Sequence, residues 1–176
     1  SEVSLPGIDI PKLVERFNGD IRGIEIGSDR GLTSDYLLQK IPDLTLYAID
    51  PYTEYVDWNG NFLNDIERQI ALYDFMEVVK KYERYRLMLI RKPSDDVAIY
   101  FSDESVDFIF VDGVHTYEQV TKDCNNYYGK IKKGGLICGH DYKMIKGVAK
   151  AVDEFAAKVN KKVNFTENDI WYWFKD

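Results

Sequence analysis

The sequence predicts an α/β fold: a doubly wound, mostly parallel sheet with an antiparallel C-terminal strand. Short apolar runs alternate with segments of helical periodicity from residue 9 onward. One run, VDFIFV at 106–111, is apolar at nearly every position, as in a strand buried on both faces of a parallel sheet. The tail holds two strand-like runs joined by the turn-forming pair Asn168-Asp169, without a helix between them. This last pair predicts an antiparallel edge.

Seven strands are expected, each a short apolar run bounded by glycine, proline or polar residues. Five precede the tail: IRGIEI (21–26), LTLYAI (44–49), YRLMLI (85–90), VDFIFV (106–111) and LICGH (136–140). The tail adds KVNFT and IWYWF. Gly134-Gly135 is expected to end the preceding helix and open the fifth strand.

Helical periodicity fills the intervals between these strands. Helices are expected over 9–18, 32–41, 62–82, 95–101, 120–131 and 148–159. Pro42 marks the end of the second, and Pro93-Ser94 marks the start of the fourth. In the third, the residues at helical spacing are Phe62, Ile66, Ile70, Tyr73 and Met76. The aromatic residues of 52–62 either line a substrate lid over 52–70 or pack against this helix, and Phe62 is expected in its core.

Composition describes one globular domain, 1–176, long enough to bury a sizeable core. The net charge of −7 argues against a nucleic-acid partner, which would require a basic face. Two cysteines without CxxC spacing exclude a disulfide scaffold and a structural zinc site. Because no apolar run is long enough to span a bilayer and the first residues lack a leader pattern, we expect a cytoplasmic protein without a membrane partner.

Glycines and carboxylates follow the predicted strands, at the edge where such sheets bind ligands. The first strand ends in Glu25, after which Gly27 and Gly31 let the backbone turn tightly ahead of a helix N-terminus. This spacing differs from the GxGxxG dinucleotide fingerprint. Asp50 ends the second strand, 23 residues after Gly27. A carboxylate there can accept both hydroxyls of a ribose, although a lone aspartate after a strand is commonly a turn former.

These motifs together resemble the class I S-adenosylmethionine-dependent methyltransferases. E-x-G-x-x-x-G at 25–31 with the acidic Asp50 fits their cofactor loop, and the resemblance is sharpest at VDFIFVDGVHTYEQVTKDCNNYYGKIKKGGLICGHDY (106–142), continuing through GVAKAVDEF (147–155). That stretch is similar to a branch with sugar O-methyltransferases of the macrolide-tailoring type and, more distantly, to catechol O-methyltransferase. The resemblance runs from about residue 21 to the C-terminus. It implies a Rossmann-like fold with a seventh, antiparallel strand.

The resemblance implies S-adenosyl-L-methionine as cofactor and a small, sugar-like acceptor. Adenine contacts are expected from Ser94 and Asp95, which would also serve as helix caps. The expected cofactor-binding residues are Glu25, Gly27, Ser28, Gly31, Asp50, Pro51, Ser94, Asp95 and Asp112. With little chain before Ile21, the pocket would be closed by 52–70 or by a second subunit of a homodimer.

Two histidines and two aspartates carry the expected reaction chemistry. Asp112 and Asp141 end neighbouring strands, so their carboxylates can converge on Mg²⁺ or Mn²⁺. Metal-dependent members of the branch carry an acidic pair at 140–141, where this chain has His140-Asp141. Histidine is a poorer ligand for Mg²⁺ than for Mn²⁺. The expected metal ligands are therefore Asp112, His140 and Asp141.

His115 lies three residues after Asp112, at the position of the branch's proposed base. Its imidazole can accept a proton near neutral pH, so His115 and Asp112 are the expected catalytic residues. Other interpretations stay open: the aspartates can serve as substrate contacts or turn caps without metal, and His140 as an orienting or packed residue. Two other functions also stay open: a metal-independent N- or carboxyl-methyltransferase, and a catalytically silent cofactor-binding partner subunit.

Overall fold

The structure, a computed structural model, describes residues 5–176. Its strands are β1 Ile21–Ile26, β2 Leu44–Ile49, β3 Tyr55–Val56, β4 Phe62–Leu63, β5 Leu87–Ile90, β6 Val106–Val111, β7 Ile131–Gly139, β8 Asn164–Phe165 and β9 Trp171–Phe174. Seven of them form one sheet in the order β5-β2-β1-β6-β7-β9-β8, and β3 and β4 form a separate hairpin.

The topology confirms the predicted fold. β1 pairs in parallel with β2 on one side and with β6 on the other, while β2 pairs with β5 and β6 with β7, also in parallel. β9 runs antiparallel between β7 and β8. The strand order reverses between β1 and β6, so the carboxyl ends of these two strands frame the crevice where ligands bind in open α/β sheets.

Six α-helices cover the sheet: α1 Ile10–Val14, α2 Leu32–Lys40, α3 Asp65–Val79, α4 Ser94–Val97, α5 Tyr117–Tyr127 and α6 Lys146–Lys158. One face of the sheet packs against α5 and α6 through residues such as Val120, Val152 and Phe155. The other packs against α1, α2 and α3 through residues such as Leu37 and Phe75. Among the described residues, no helix combines the length and the apolar character needed to cross a membrane.

The predicted apolar face of α3 is wrong. Ile66 and Tyr73 are each 71% exposed, and Phe62, which was expected in the core, is 59% exposed in β4. The side chains that α3 buries are Arg68, Ala71, Phe75 and Val78. The helix begins only at Asp65, where Asn64 and Glu67 form a capping box. The buried face of α3 packs against the glycine turn, the segment after β1 that contains Gly27 and Gly31. Phe75 lies beside Gly31 there.

Several predicted boundaries also need correction: β5 begins at Leu87 rather than 85, and α5 spans Tyr117–Tyr127 rather than 120–131. α1 ends at Val14 rather than 18, and α4 gives way after Val97 to a 3₁₀ turn, Ala98–Tyr100. β7 begins at Ile131 rather than 136, because Gly134 adopts a positive φ of 80° inside the strand and does not separate it from the helix. The pairing of β6 with β7 shifts register at this point, so the glycine accommodates a bulge.

Candidate active site

The ends of β1, β2 and β6 meet at Gly27. Its amide donates to the carbonyl of Ile49 at 2.8 Å, and the Asp112 amide donates to the carbonyl of Ile26 at 2.9 Å. Gly27 has a φ of 88°, and a Cβ built on it would lie 2.2 Å from the carbonyl oxygen of Asp112. Only glycine fits there, because both the backbone conformation and the space exclude a side chain.

A cavity of about 240 Å³ opens above this junction. Six of the residues predicted to bind cofactor line it: Gly27, Asp50, Pro51, Ser94, Asp95 and Asp112. The other three do not line the cavity. Ser28 is buried and bonds the Tyr52 hydroxyl at 2.9 Å, and Gly31 forms the N-cap of α2 at a φ of 86°. Glu25 is 1% exposed and accepts from the Ser34 hydroxyl, and burial raises its pKa to about 8.

Asp50 is held by three donors. Its Oδ1 accepts from the Tyr52 amide at 2.9 Å and from Arg68 Nη2 at 2.9 Å, and its Oδ2 accepts from the Asp29 amide at 3.0 Å. The second arm of Arg68 donates to Asp29 Oδ1 at 2.9 Å. This carboxylate is therefore fixed in place at the cavity wall. Within residues 5–176, Oδ2 accepts one hydrogen bond, so it has the capacity to accept another from a ligand hydroxyl.

Sequence reasoning did not single out four charged or amide side chains that line the cavity: Asp29, Arg68, Gln119 and Asp123. For Arg68 a signal existed, because it shares the helical register of Ala71, Phe75 and Val78, and a charged residue on a buried face calls for a partner. For Gln119 and Asp123 the amphipathic pattern of α5 gave no such signal, since polar residues there also suit a solvated face.

Asp123 belongs to the end of the cavity where adenine contacts are expected. Its Oδ1 accepts from the Ser94 hydroxyl at 2.7 Å and from Gln119 Nε2 at 3.1 Å. Its Oδ2 is buried and has no hydrogen-bond partner among the residues that the structure describes. Because the residue is only 1% exposed, burial raises the pKa of Asp123 to about 6.

The ends of β6 and β7 bring together both aspartates and both histidines of the predicted reaction site. His115 Nε2 lies 3.0 Å from Asp112 Oδ1 and 3.3 Å from Asp141 Oδ2. His140 Nδ1 lies 3.1 Å from the same Asp141 oxygen and 3.9 Å from Asp112 Oδ1. Asp141 takes a left-handed φ of 65° directly after the strand, which aspartate tolerates better than most residues.

The electrostatics of this cluster favour a basic imidazole. Burial opposes the charged form of His115, but the hydrogen bond to Asp112 and the negative charges of Asp112 and Asp141 outweigh it and raise the pKa of His115. For Asp141, burial acts against ionisation, and the bond from His140 with the charges of both histidines lowers its pKa. The four side chains therefore form one coupled acid–base group.

The donor set fits a divalent cation of the manganese type. Asp112, His115 and Asp141 each offer one ligand atom, and these atoms lie within 4.8 Å of one another. Two carboxylates and an imidazole suit Mn²⁺ better than Mg²⁺. The third member of this group is His115, whereas the sequence predicted His140, which lies beside it against Asp141.

Comparisons with known proteins agree with this architecture. The chain is 28% identical over 127 residues to the uncharacterised protein R132 of Acanthamoeba polyphaga mimivirus, a match that covers 70% of this chain and 52% of that protein. The chain thus spans about half the length of the curated relative it matches.

Solved structures show the same fold. A candidate caffeoyl-CoA O-methyltransferase from Staphylococcus aureus aligns with a TM-score of 0.72 at 17% identity, over 100% of this chain and 86% of its own. The O-methyltransferase NovP aligns with a TM-score of 0.64 at 20% identity, over 96% of this chain and 78% of its own. The family model described as methyltransferase domain matches residues 24–142, more than half of the chain. The chain therefore belongs to the methyltransferase-domain family, among the class I S-adenosylmethionine-dependent methyltransferases.

Proposed function

We propose that this protein transfers the methyl group of S-adenosylmethionine to a hydroxyl of a small molecule, a sugar or sugar nucleotide. The observation that carries the proposal is the position of Asp112. It lines the cavity with Gly27 and Asp50, and it also bonds His115 at 3.0 Å. A cofactor held at the glycine turn would therefore lie next to a base. The sugar class rests on the likeness of residues 106–142 to sugar O-methyltransferases.

The reaction is an in-line displacement at the methyl carbon. A C–O bond forms as the C–S bond of the sulfonium breaks, and the hydroxyl must lose its proton as its oxygen attacks. We assign proton acceptance to neutral His115. Asp112 orients the imidazole and stabilises the imidazolium that forms, and Asp141 adds a second negative charge near Nε2. Asp50 and the backbone at Gly27 hold the cofactor, and Ser94 and Asp95 flank its adenine.

A divalent cation is the second part of the proposal. Asp112 and Asp141 would hold it, with His115 or His140 as the nitrogen ligand, and such a cation lowers the pKa of a bound hydroxyl. When the Asp112 carboxylate accepts from Nε2–H of neutral His115, the lone pair that accepts the substrate proton is on Nδ1. A cation held by Nε2 would instead leave the ring proton on Nδ1, so His115 cannot hold a cation and accept a proton at once. The assignment of the nitrogen ligand therefore decides whether His115 is the base when the cation is present.

The first experiment tests methyl transfer and the base together. The protein is incubated with methyl-labelled S-adenosylmethionine and a panel of sugars, sugar nucleotides, catechols, amines and carboxylates. We expect label in a sugar-like hydroxyl, and His115→Ala should lower kcat by roughly 10²–10⁴-fold. His140→Ala is the matched control and should cost less, because His140 Nδ1 lies 3.9 Å from Asp112 Oδ1 whereas His115 Nε2 lies 3.0 Å from it. Unreduced kcat in His115→Ala contradicts the base assignment, and cofactor binding without any turnover favours the silent module.

The second experiment tests the cation. Activity should fall in excess EDTA and return with divalent metal, with Mn²⁺ more effective than Mg²⁺. Binding of Mn²⁺, followed by its electron paramagnetic resonance signal, should be lost in Asp141→Asn, which keeps the size of the side chain and removes its charge. Full activity in EDTA, with no Mn²⁺ binding by the wild type, would leave the metal-independent mechanism.

A further inference from the structure

Arg68 reaches from the middle of α3 into the cofactor cavity. Its side chain is only 6% exposed and bonds two carboxylates, Asp29 and Asp50, each at 2.9 Å. Among the described residues that line this cavity it is the one lysine or arginine. A buried guanidinium is costly to desolvate, so its partners must be well placed for it to stay there.

The same guanidinium also contacts the hairpin beside the cavity. Its central carbon lies 5.3 Å from the ring centre of Tyr52 and 5.2 Å from that of Tyr55, distances that permit cation–π attraction. Tyr55 begins β3 and lines the cavity. Arg68 therefore joins the expected ribose carboxylate to the hairpin formed by β3 and β4.

We propose that Arg68 is a positioning residue that couples cofactor binding to the placement of this hairpin. The inference rests on the cofactor site of the proposed function. A ribose hydroxyl can use the remaining acceptor capacity of Asp50 Oδ2 without displacing Arg68 from Oδ1. The bound nucleoside would exclude water from the cavity, which strengthens the ion pairs of Arg68 and its contact with Tyr55. Cofactor binding would thus hold the hairpin more firmly over the site.

Trp58 provides a direct readout of the hairpin. It lies in the turn between β3 and β4 and is 46% exposed, whereas Trp171 and Trp173 are 0% and 2% exposed in the sheet. Acrylamide quenching of tryptophan fluorescence therefore reports mainly on Trp58. The measurement is made with and without saturating S-adenosylhomocysteine, whose affinity is determined separately by calorimetry. In the wild type we expect the cofactor product to lower the quenching constant.

Three variants isolate the role of Arg68. Arg68→Met keeps a long helix-forming side chain without charge, and it should weaken S-adenosylhomocysteine binding by about tenfold or more and abolish the quenching response. Arg68→Lys should restore part of both. Arg30→Met is the matched control, because Arg30 pairs with Asp74 of the same helix but lies outside the cavity. It should behave like the wild type.

Tyr55→Leu keeps the inference testable if Arg68→Met does not fold. It keeps both ion partners of Arg68 and removes the aromatic contact with the hairpin, so the quenching response should be lost even at concentrations of S-adenosylhomocysteine that saturate the variant. The inference is overturned if S-adenosylhomocysteine binds the wild type without changing the quenching constant, or if the Tyr55 and Arg68 variants keep the wild-type response. If the wild type binds no S-adenosylhomocysteine, the proposed function itself fails, and the inference fails with it.

Discussion

The two halves of the site hold their carboxylates in different ways. At the ends of β1 and β2, Asp29 and Asp50 pair with Arg68, whose guanidinium stays charged at every pH that the fold survives. At the ends of β6 and β7, the ion-pair partners of Asp112 and Asp141 in the described part of the chain are His115 and His140, whose charge depends on pH. The first half is built to keep one geometry, whereas the second can gain and lose protons. This difference supports the proposal that the first half holds the cofactor and the second half carries out the reaction chemistry.

The glycine turn is where the two halves touch, so damage there should have the largest effect. Gly27→Ala would force a Cβ to within 2.2 Å of the Asp112 carbonyl at a positive φ. The strained backbone and the overlap should lower the free energy of unfolding by about 3 kcal/mol or more. Gly19→Ala is the control: its φ is 71°, but nothing lies within 4 Å of the new Cβ.

Urea denaturation of both variants checks this prediction. Gly19→Ala should lose only the conformational part, roughly 1 kcal/mol. Equal losses in the two variants would show that the contact between β1 and β6 tolerates a side chain, which contradicts the close junction of the two halves.

Asp123, at the end of the cavity where adenine contacts are expected, gives the next largest effect. Burial raises the pKa of Asp123 to about 6 from its ordinary 3.8, so the folded state favours the protonated form. The stability that comes from proton binding to Asp123 is fully present below pH 3.8, and it is lost as the pH rises through about 6. Replacing Asp123 with Asn removes this titration. The stability of Asp123→Asn relative to the wild type should therefore rise by about 2 kcal/mol between pH values near 4 and near 8.

The substitution also changes the free energy of unfolding by an amount that does not depend on pH. This amount is the same at both pH values, so the difference between them reports only the titration of Asp123. Glu118→Gln, on the exposed face of the same helix, is the control and should show little change between them. Denaturant unfolding at each pH gives the numbers. A pH-independent difference for Asp123→Asn would mean that the carboxyl is not buried as described.

The smallest predicted effect concerns the support of the glycine turn. The Tyr52 hydroxyl donates to the Asp29 carbonyl at 2.5 Å and bonds the Ser28 hydroxyl at 2.9 Å in the buried wall. Tyr52→Phe should cost about 1 kcal/mol in unfolding free energy. Tyr36→Phe removes a comparable bond to the Ile8 carbonyl at the surface and should cost less. Thermal melts that rank the two variants in the opposite order would contradict this role of Tyr52.

The fold was predictable because its signals are local. Apolar runs marked β1, β2 and β6 correctly, and the two tail runs without a helix marked the antiparallel edge. The face of α3 was not predictable from periodicity alone. Ile66, Ile70 and Tyr73 have the same helical spacing as the residues that α3 buries. The side that is buried is determined by the glycine turn, against which Phe75 packs.

The site was only partly predictable for a similar reason. Residues at strand ends, such as Asp50 and Asp112, have positions fixed by the sheet, so their neighbours could be anticipated. Arg68 and Asp123 reach the cavity from helices, and their contacts depend on how each helix is rotated. The proximity of His115 to Asp141 likewise depends on the positive φ of Asp141, for which the sequence contains no signal beyond the residue type.

One calorimetric comparison tests the division of the site most directly. S-adenosylhomocysteine is titrated into the wild type, Asp50→Ala and His115→Ala. We predict that Asp50→Ala weakens binding by about tenfold or more, since the ribose loses its acceptor, while His115→Ala binds within about twofold of the wild type. If His115→Ala loses as much affinity as Asp50→Ala, the two halves do not have separate functions. That result would contradict the division of the site into a cofactor-holding half and a reacting half.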